Sequence, residues 1–374
     1  MNEEFTSLGL MSGTSGDGVD ASIIKSDGNT EYKVIKDKYF QYDTKIRQNI
    51  HFLKEKIHNF SDLKKLIKEL ADLERKITLF HAEVTKKISE NRNIDLVGFH
   101  GQTIYHNSIE KISTQLGDGN LLSQLTKKDV VYNFRQNDIK NGGEGAPLTP
   151  IFHQLIATQH KFNFPICILN IGGISNITIV NEPNGTFNFS SRDIGPGNCL
   201  IDTWVRKNSK LNYDKEGMLA AKGVRNDIIL EQAQELFANR PNSNNLSFDV
   251  NDFDVSFARG LSLEDGAATL TDFTAGIIGS ALHSFLSKTN SIKPCEVLVS
   301  GGGRKNKILI EKIKKITLKN IIINPIDDYK IDGDFVESQA FAFLAIRSFL
   351  KLPISFPNTT GCKKPTSGGE IIKY

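Results

Sequence analysis

Near its start the chain carries Ser12-Gly13-Thr14-Ser15-Gly16-Asp17-Gly18. Glycine lacks a Cβ, so Gly13, Gly16 and Gly18 permit a turn whose amide N–H groups point at an anion. Ser12, Thr14 and Ser15 add hydroxyl donors. Asp17 lies where a carboxylate can hold magnesium through a water, because magnesium gives up its own waters reluctantly. A second turn of the same kind, Gly172-Gly173-Ile174-Ser175-Asn176, stands about 160 residues later. A third glycine run, Gly301-Gly302-Gly303, follows an apolar stretch and lets a flat base or ribose lie against the backbone. Phosphoryl transfer needs donors around phosphate oxygens, a magnesium ion and an in-line acceptor, and these turns suit it. The chain has no GxxxxGK[ST] loop, no HRD…DFG pair and no GxSxG elbow, which sets aside the P-loop NTPases, the protein kinases and the serine hydrolases. Ser22-Ile23-Ile24-Lys25 spells SxxK but sits in a strand pattern without companion motifs.

Strands and helices must hold these turns in place. Phe5–Met11 and Val19–Ile24 read as strands flanking the first turn, with a third around Tyr32–Ile35 after Asp27-Gly28-Asn29. Ser61 reads as the N-cap of one long helix, with apolar residues recurring every three or four positions from Leu63 to Ile88. Ile94–Phe99 reads as a strand ending at His100-Gly101-Gln102-Thr103, and Val130–Phe134 as another running into the loop Arg135–Pro147. The second half restarts with strand Ile166–Ile171, the second turn and strand Ile177–Val180. A helix around Thr269–Leu286, a strand Glu296–Ser300, a helix Phe335–Leu350 and a loop-rich tail Pro353–Tyr374 follow. Repetition of strand, polar turn and strand at whole-domain spacing predicts two related α/β lobes around a nucleotide cleft, the actin-like ATPase (ribonuclease H-like) fold. The expected division is 1–135 with roughly 350–374 in one lobe and 136–349 in the other.

At 374 residues the chain is long enough for two such lobes. A net charge of +3 offers no footprint for nucleic acid, and the lysine runs Lys64-Lys65 and Lys314-Lys315 fall on solvated helix faces. Cys167, Cys199, Cys295 and Cys362 lack metal-site spacing. With no signal peptide and no membrane-length apolar run, a cytoplasmic protein with reduced thiols is expected.

Taken in order, the motifs resemble one family. Gly9-Leu10-Met11-Ser12-Gly13-Thr14-Ser15-Gly16-Asp17-Gly18-Val19-Asp20 is similar to the N-terminal signature GLMSGTSLDGVD of the anhydro-N-acetylmuramic acid kinases. His100-Gly101-Gln102-Thr103, Gln115–Gly119, Phe134–Asp138, Gly142–Leu148, Asn170–Asn176, Asp193–Asn198, Gly301–Gly303, Glu337 and Thr360-Gly361 continue the match along nearly the whole chain. Gly16 stands where the family has Leu, Asn133 where it has Asp, Glu144 where it has Gln, Ser338 where it has Ala, and Cys362 where it has Ala. Gly16 is expected to loosen the phosphate turn, and Glu144 to add charge near the sugar.

The resemblance implies an ATP- and magnesium-dependent enzyme that opens the 1,6-anhydro bridge and phosphorylates the 6-oxygen. Water attacks the anomeric carbon from one face while the bridging oxygen leaves toward the γ-phosphate. That requires a carboxylate on the water side, as in inverting glycoside chemistry. Asp138 matches the family's base and Glu337 the group that orients the same water. The sugar is expected to meet His100, Gln102, Thr103, Arg135, Gly145, Ala146 and Pro147. The nucleotide is expected at Gly13–Asp20, Val19 included, and at Gly172, Gly173, Ser175, Asn176, Asp193, Gly195, Gly197, Asn198 and Gly301–Gly303. Asp17 and Asp193 are the expected metal carboxylates. Family likeness also implies a homodimer. Kinases of other anhydrosugars, such as levoglucosan, and non-catalytic actin-like ATPases are the competing readings.

Overall fold

A computed structural model describes residues 3–90, 92–182, 188–239, 246–287 and 295–374. The chain divides into two compact units, Met1–Phe162 with Asp334–Tyr374, and Asn163–Gly333.

In the first unit a meander of β1 (Phe5–Ser12), β2 (Gly18–Ser26) and β3 (Tyr32–Gln41) is antiparallel throughout. β4 (Leu96–Asn107) runs parallel to β1 on its other side, and β6 (Asp129–Tyr132) runs parallel to β4. β12 (Glu370–Ile372) closes that edge against β6, while β5 (Ile112–Leu116) pairs with the far end of β4. The sheet order is β12-β6-β4-β1-β2-β3. The second unit repeats the plan with β7 (Ile166–Ile171), β8 (Ile174–Asn181) and β9 (Asn188–Pro196) as the meander. β10 (Cys295–Ser300) lies parallel to β7, and β11 (Ile321–Pro325) lies parallel to β10. Its order, β11-β10-β7-β8-β9, matches the β6-β4-β1-β2-β3 part of the first sheet, which adds β12 at the edge and β5 beside β4. Duplicated order of this kind is the actin-like plan expected from the repeated turns.

Helices cover the sheets. In the first unit these are α1 (Thr44–Lys56), α2 (Phe60–Lys65), α3 (Ile67–Ser89), α4 (Gly119–Thr126), α5 (Gln136–Lys140), α6 (Pro150–Gln159), α11 (Val336–Phe349) and α12 (Pro357–Thr360). In the second they are α7 (Cys199–Asn208), α8 (Asp227–Ala238), α9 (Leu263–Ser287) and α10 (Lys307–Ile316). Ile46, Ile50, Leu53 and Ile57 seat α1 and its end in the core built on Leu8, Leu10, Val19 and Ile23. Among the described residues, no helix is long and apolar enough to cross a membrane.

Three expectations change. The long helix from Ser61 is two helices, because Asn59 Oδ1 accepts from Ser61 N and starts α2 earlier, and the backbone leaves helical geometry at Leu66. Strand β4 does not stop before His100 but carries His100–Thr103 inside it, since β5 supplies hydrogen-bond partners to Asn107. Residues 136–162 and 334–349 belong to the first unit rather than the second. There α11 lies so close on β1 that a Cβ on Gly9 would fall 1.9 Å from Ser338 O. Likewise α6 packs Phe152 against Tyr32 and Phe343.

Candidate active site

The candidate residues fall into two sets, one on each unit. In the first unit β1 and β2 present the turn between Ser12 and Gly18, closed by Gly16 N donating to Gly13 O at 3.1 Å. Gly16 takes φ +65°, and a Cβ there would lie 2.8 Å from Ile50 Cγ2. The turn is therefore packed against α1 at this point and not loosened. Nothing stands within 4 Å of where a Gly13 Cβ would be, so the backbone is open to a ligand there.

A buried polar node holds the turn. Ser12 Oγ lies 2.7 Å from Gln102 Oε1, 3.0 Å from Gly18 O and 2.9 Å from Tyr42 OH. The first two are acceptors only, and Ser12 has one hydrogen to give. The Tyr42 hydroxyl must therefore donate to Ser12 Oγ, and burial pushes that phenol's pKa up, which keeps it protonated. Gln102 donates from Nε2 to Gly13 O and Thr103 O, which fixes its amide orientation. Gln102 is fully buried. Its side chain holds the turn from behind, in place of the direct sugar contact expected of it. Tyr42 carries no functional signal in the sequence. Its position just past β3, with its N–H on Asp17 O at 2.9 Å, is visible only in three dimensions. Val19 also differs from expectation: its side chain is core, so only its backbone adjoins the turn. Asp20 continues β2 opposite Met11 and Tyr39.

The carboxylate expected to act as base sits on α5 and is 1% exposed, inside the unit and not on an open face. Asp138 Oδ2 accepts from Gly145 N at 2.8 Å and Oδ1 from Thr360 Oγ1 at 2.6 Å. These bonds join the glycine loop to the C-terminal segment, a link reinforced by Glu144 N donating to Thr360 O at 2.8 Å. A Cβ on Gly143 would fall 2.1 Å from Asp138 Oδ2, so only glycine lets the loop lie on the carboxylate. An ionised carboxylate has about four acceptor positions, and these two bonds use two of them. Thr360 enters the sequence reading only as part of a motif; its hydroxyl is what fixes Asp138.

Arg135 braces the same loop. Its Nη1 donates to Gly145 O at 3.1 Å and its Nη2 to His100 Nε2 at 3.0 Å, while His100 Nδ1 donates to Gly101 O. Nε2 is therefore the acceptor and the ring is neutral. Burial, and then the Arg135 charge, hold its pKa well below the usual imidazole range. Thr103 Oγ1 accepts from Gln115 Nε2, and Gly145, Ala146 and Pro147 are buried. His100, Thr103 and residues 145–147, expected to meet the sugar, are thus packed inside the first unit. Glu337 lies half-buried in the first turn of α11.

In the second unit the β7–β8 turn is latched to the start of α7. Gly197 N and Cys199 N donate to Gly173 O, and Asn198 N to Gly172 O at 2.8 Å. Ser175 is buried with Oγ on Pro196 O, and Asn176 Oδ1 is a buried acceptor without a partner among the described residues. Gly195 takes φ +153° against Ile277. Asp193 is 6% exposed, and its Oδ2 accepts from Phe248 N at 2.9 Å, which ties β9 to the 246–248 segment. Among the described residues, no three His, Cys, Asp or Glu side chains converge. Of the three glycines after β10, Gly301 (φ +78°) and Gly303 pack on Asn170 and Ile171, and Gly302 alone is open. Arg304 holds this loop through both carboxylate oxygens of Asp327 and through Gly301 O.

Comparison with known proteins adds one decisive fact. The family profile described as anhydro-N-acetylmuramic acid kinase matches residues 5–374. The chain belongs to the anhydro-N-acetylmuramic acid kinase family. Relatives bearing that name include one from Pelagibacter ubique (strain HTCC1062), 56% identical with all of both chains covered. Another, from Zymomonas mobilis subsp. mobilis, is 36% identical over 97% of this chain and 98% of its own. A third, from Agrobacterium fabrum, is 36% identical with both chains fully covered. Both turns, the Asp138 loop and the Thr360 segment lie within the region matched to the anhydro-N-acetylmuramic acid kinases.

Proposed function

We propose that the chain opens 1,6-anhydro-N-acetylmuramic acid and phosphorylates its 6-oxygen, using ATP, magnesium and water to give N-acetylmuramic acid 6-phosphate and ADP in cytoplasmic cell-wall recycling. Support comes above all from family membership over residues 5–374. The buried Asp138 carboxylate, held on the same unit as the first phosphate turn, suits the chemistry.

Bound ATP supplies the phosphoryl group that captures the departing bridge oxygen. The open backbone at Gly13 and the exposed Ser15 fit an anion, and Asp17, half-buried on the same turn, would hold magnesium through its waters. Asp138 accepts one proton from the attacking water at an unused carboxylate position, and that water's oxygen becomes the anomeric hydroxyl. Glu337 orients the same water. Thr360 and Gly145 keep the Asp138 carboxylate from rotating. Arg135 keeps residues 145–147 in place through Gly145 O and neutral His100. Family likeness also supports a homodimer.

Incubation with ATP, magnesium and the anhydrosugar in ¹⁸O-water tests the reading by mass spectrometry. The expected product carries one phosphate and one label, the label at the anomeric hydroxyl and not in the phosphate ester. Label in the ester, or faster turnover of levoglucosan, which lacks the lactyl and N-acetyl groups, would count against it.

A further inference from the structure

We infer that Lys54 is a charge-compensating residue of the nucleotide site, a role that rests on the proposed kinase function. Its ammonium lies 2.8 Å from Thr14 O, at the crest of the first glycine-rich turn. Thr14 is flanked by Gly13, whose flank is open, and by Ser15, which is exposed. A cation at this crest therefore stands beside the backbone that a phosphate would approach.

The helix that carries Lys54 is built to deliver it there. Asp43 caps α1 by accepting from Ile46 N at 2.8 Å, directly after Tyr42 has bonded both Asp17 O and Ser12 Oγ. Ile50 then packs on Gly16, where a Cβ would be 2.8 Å away. Lys54 follows Ile50 by four residues, so the two lie on one face of α1, one turn apart. A β-carbon at position 16 would push this face outward and carry the ammonium with it. Glycine, where the family pattern has leucine, thus brings Lys54 onto the turn. Asp17 is the turn's own charged side chain and is negative. Lys54 adds a positive charge of the chain's own to the one that magnesium on Asp17 would supply. A compact ammonium on a flexible stem acts on phosphate as a point charge, with no need of the bidentate geometry that arginine supplies.

The test separates charge from hydrogen bonding. Lys54→Gln removes the charge and keeps an N–H donor one bond shorter in reach, while Lys54→Arg keeps the charge. Binding of a non-hydrolysable ATP analogue is measured by calorimetry at low and high salt, beside the KM for sugar. The expected result is analogue affinity about tenfold weaker in Lys54→Gln, equivalent to about 1.4 kcal/mol. Its salt dependence should be flatter, its sugar KM unchanged, and recovery to within about threefold is expected in Lys54→Arg. Wild-type affinity in Lys54→Gln would overturn the inference. So would equal weakness of both variants, which would make Lys54 a backbone latch only. A wild-type protein that does not bind the analogue would instead remove the kinase reading and this inference with it.

Discussion

Replacing Asp138 by asparagine separates proton transfer from architecture. In the Asp138→Asn variant the side-chain amide oxygen can still accept from Gly145 N, and the amide nitrogen can donate to Thr360 Oγ1. The threonine hydrogen then turns to Phe356 O, 3.4 Å away in the present structure. No buried polar group is left without a partner. Two hydrogen bonds change from charged to neutral, from about 1.5–3 to about 0.5–1.5 kcal/mol each. The first unit should therefore lose roughly 2 kcal/mol, a fall of about 5 °C in Tm for a unit of about 200 residues. Loss of the proton acceptor should lower kcat by about 10²–10⁴-fold, or about 2.7–5.5 kcal/mol of transition-state stabilisation. Affinity for an ATP analogue should stay within about twofold, because the phosphate turn is held by Ser12, Gln102 and Tyr42 and not by Asp138. Steady-state kinetics, calorimetry and thermal melts on one preparation give all three quantities. A variant with kcat within about threefold of wild type would refute the base assignment. One that melts as wild type but loses nucleotide affinity would refute the separation of the two nodes.

Tyr42→Phe removes the one hydroxyl that must donate to Ser12; it should cost about 1 kcal/mol of stability and weaken the ATP analogue several-fold without moving the sugar KM. Unchanged analogue affinity by calorimetry would show that the node does not position the turn. Four buried imidazoles set a pH dependence. His81 is pushed down to about 4, His106 and His153 to about 3, and His100 well below its ordinary 6.5, all chiefly by burial. Below pH 6.5 the unfolded chain binds protons that the folded chain refuses, so their stabilising contribution is full above that pH and falls as acid is added. Each imidazole steepens the loss by about 1.4 kcal/mol per pH unit. A Tm that stays level between pH 7 and about 5 would contradict this.

The duplicated plan was legible because polar glycine turns interrupt apolar strands twice at whole-domain spacing, and β1–β2 and β7–β8 fall where that pattern put them. The unit boundary was less legible. Residues 335–350 read as a helix, and nothing in their spacing says which sheet they cover; the missing Cβ of Gly9 lets that helix lie on β1. His100–Thr103 reads as a strand end because Gly101 looks like punctuation. In the fold that glycine lets β5 approach, since a Cβ would lie 2.6 Å from Leu116 O, and β4 runs on. Motif matching locates Asp138, Gln102 and Thr360. It carries no information on who bonds whom, and so it assigns Gln102 to sugar although that amide is spent on Gly13 and Thr103. The apolar spacing Ile46, Ile50, Leu53, Ile57 would have revealed α1, yet the position of Lys54 over Thr14 depends on how that helix docks.

Among the turn glycines, Gly13 and Gly302 have empty space where a methyl would go, whereas Gly16, Gly143, Gly301 and Gly303 do not. Alanine at the crowded positions must injure folding itself, which hides any catalytic meaning. At the two open ones a methyl should be accepted by the apo chain and felt only by an incoming ligand. A saturation library sorted separately for abundance and for turnover would thus draw the outline of the bound molecule on each unit, from backbone atoms that no side-chain deletion can reach.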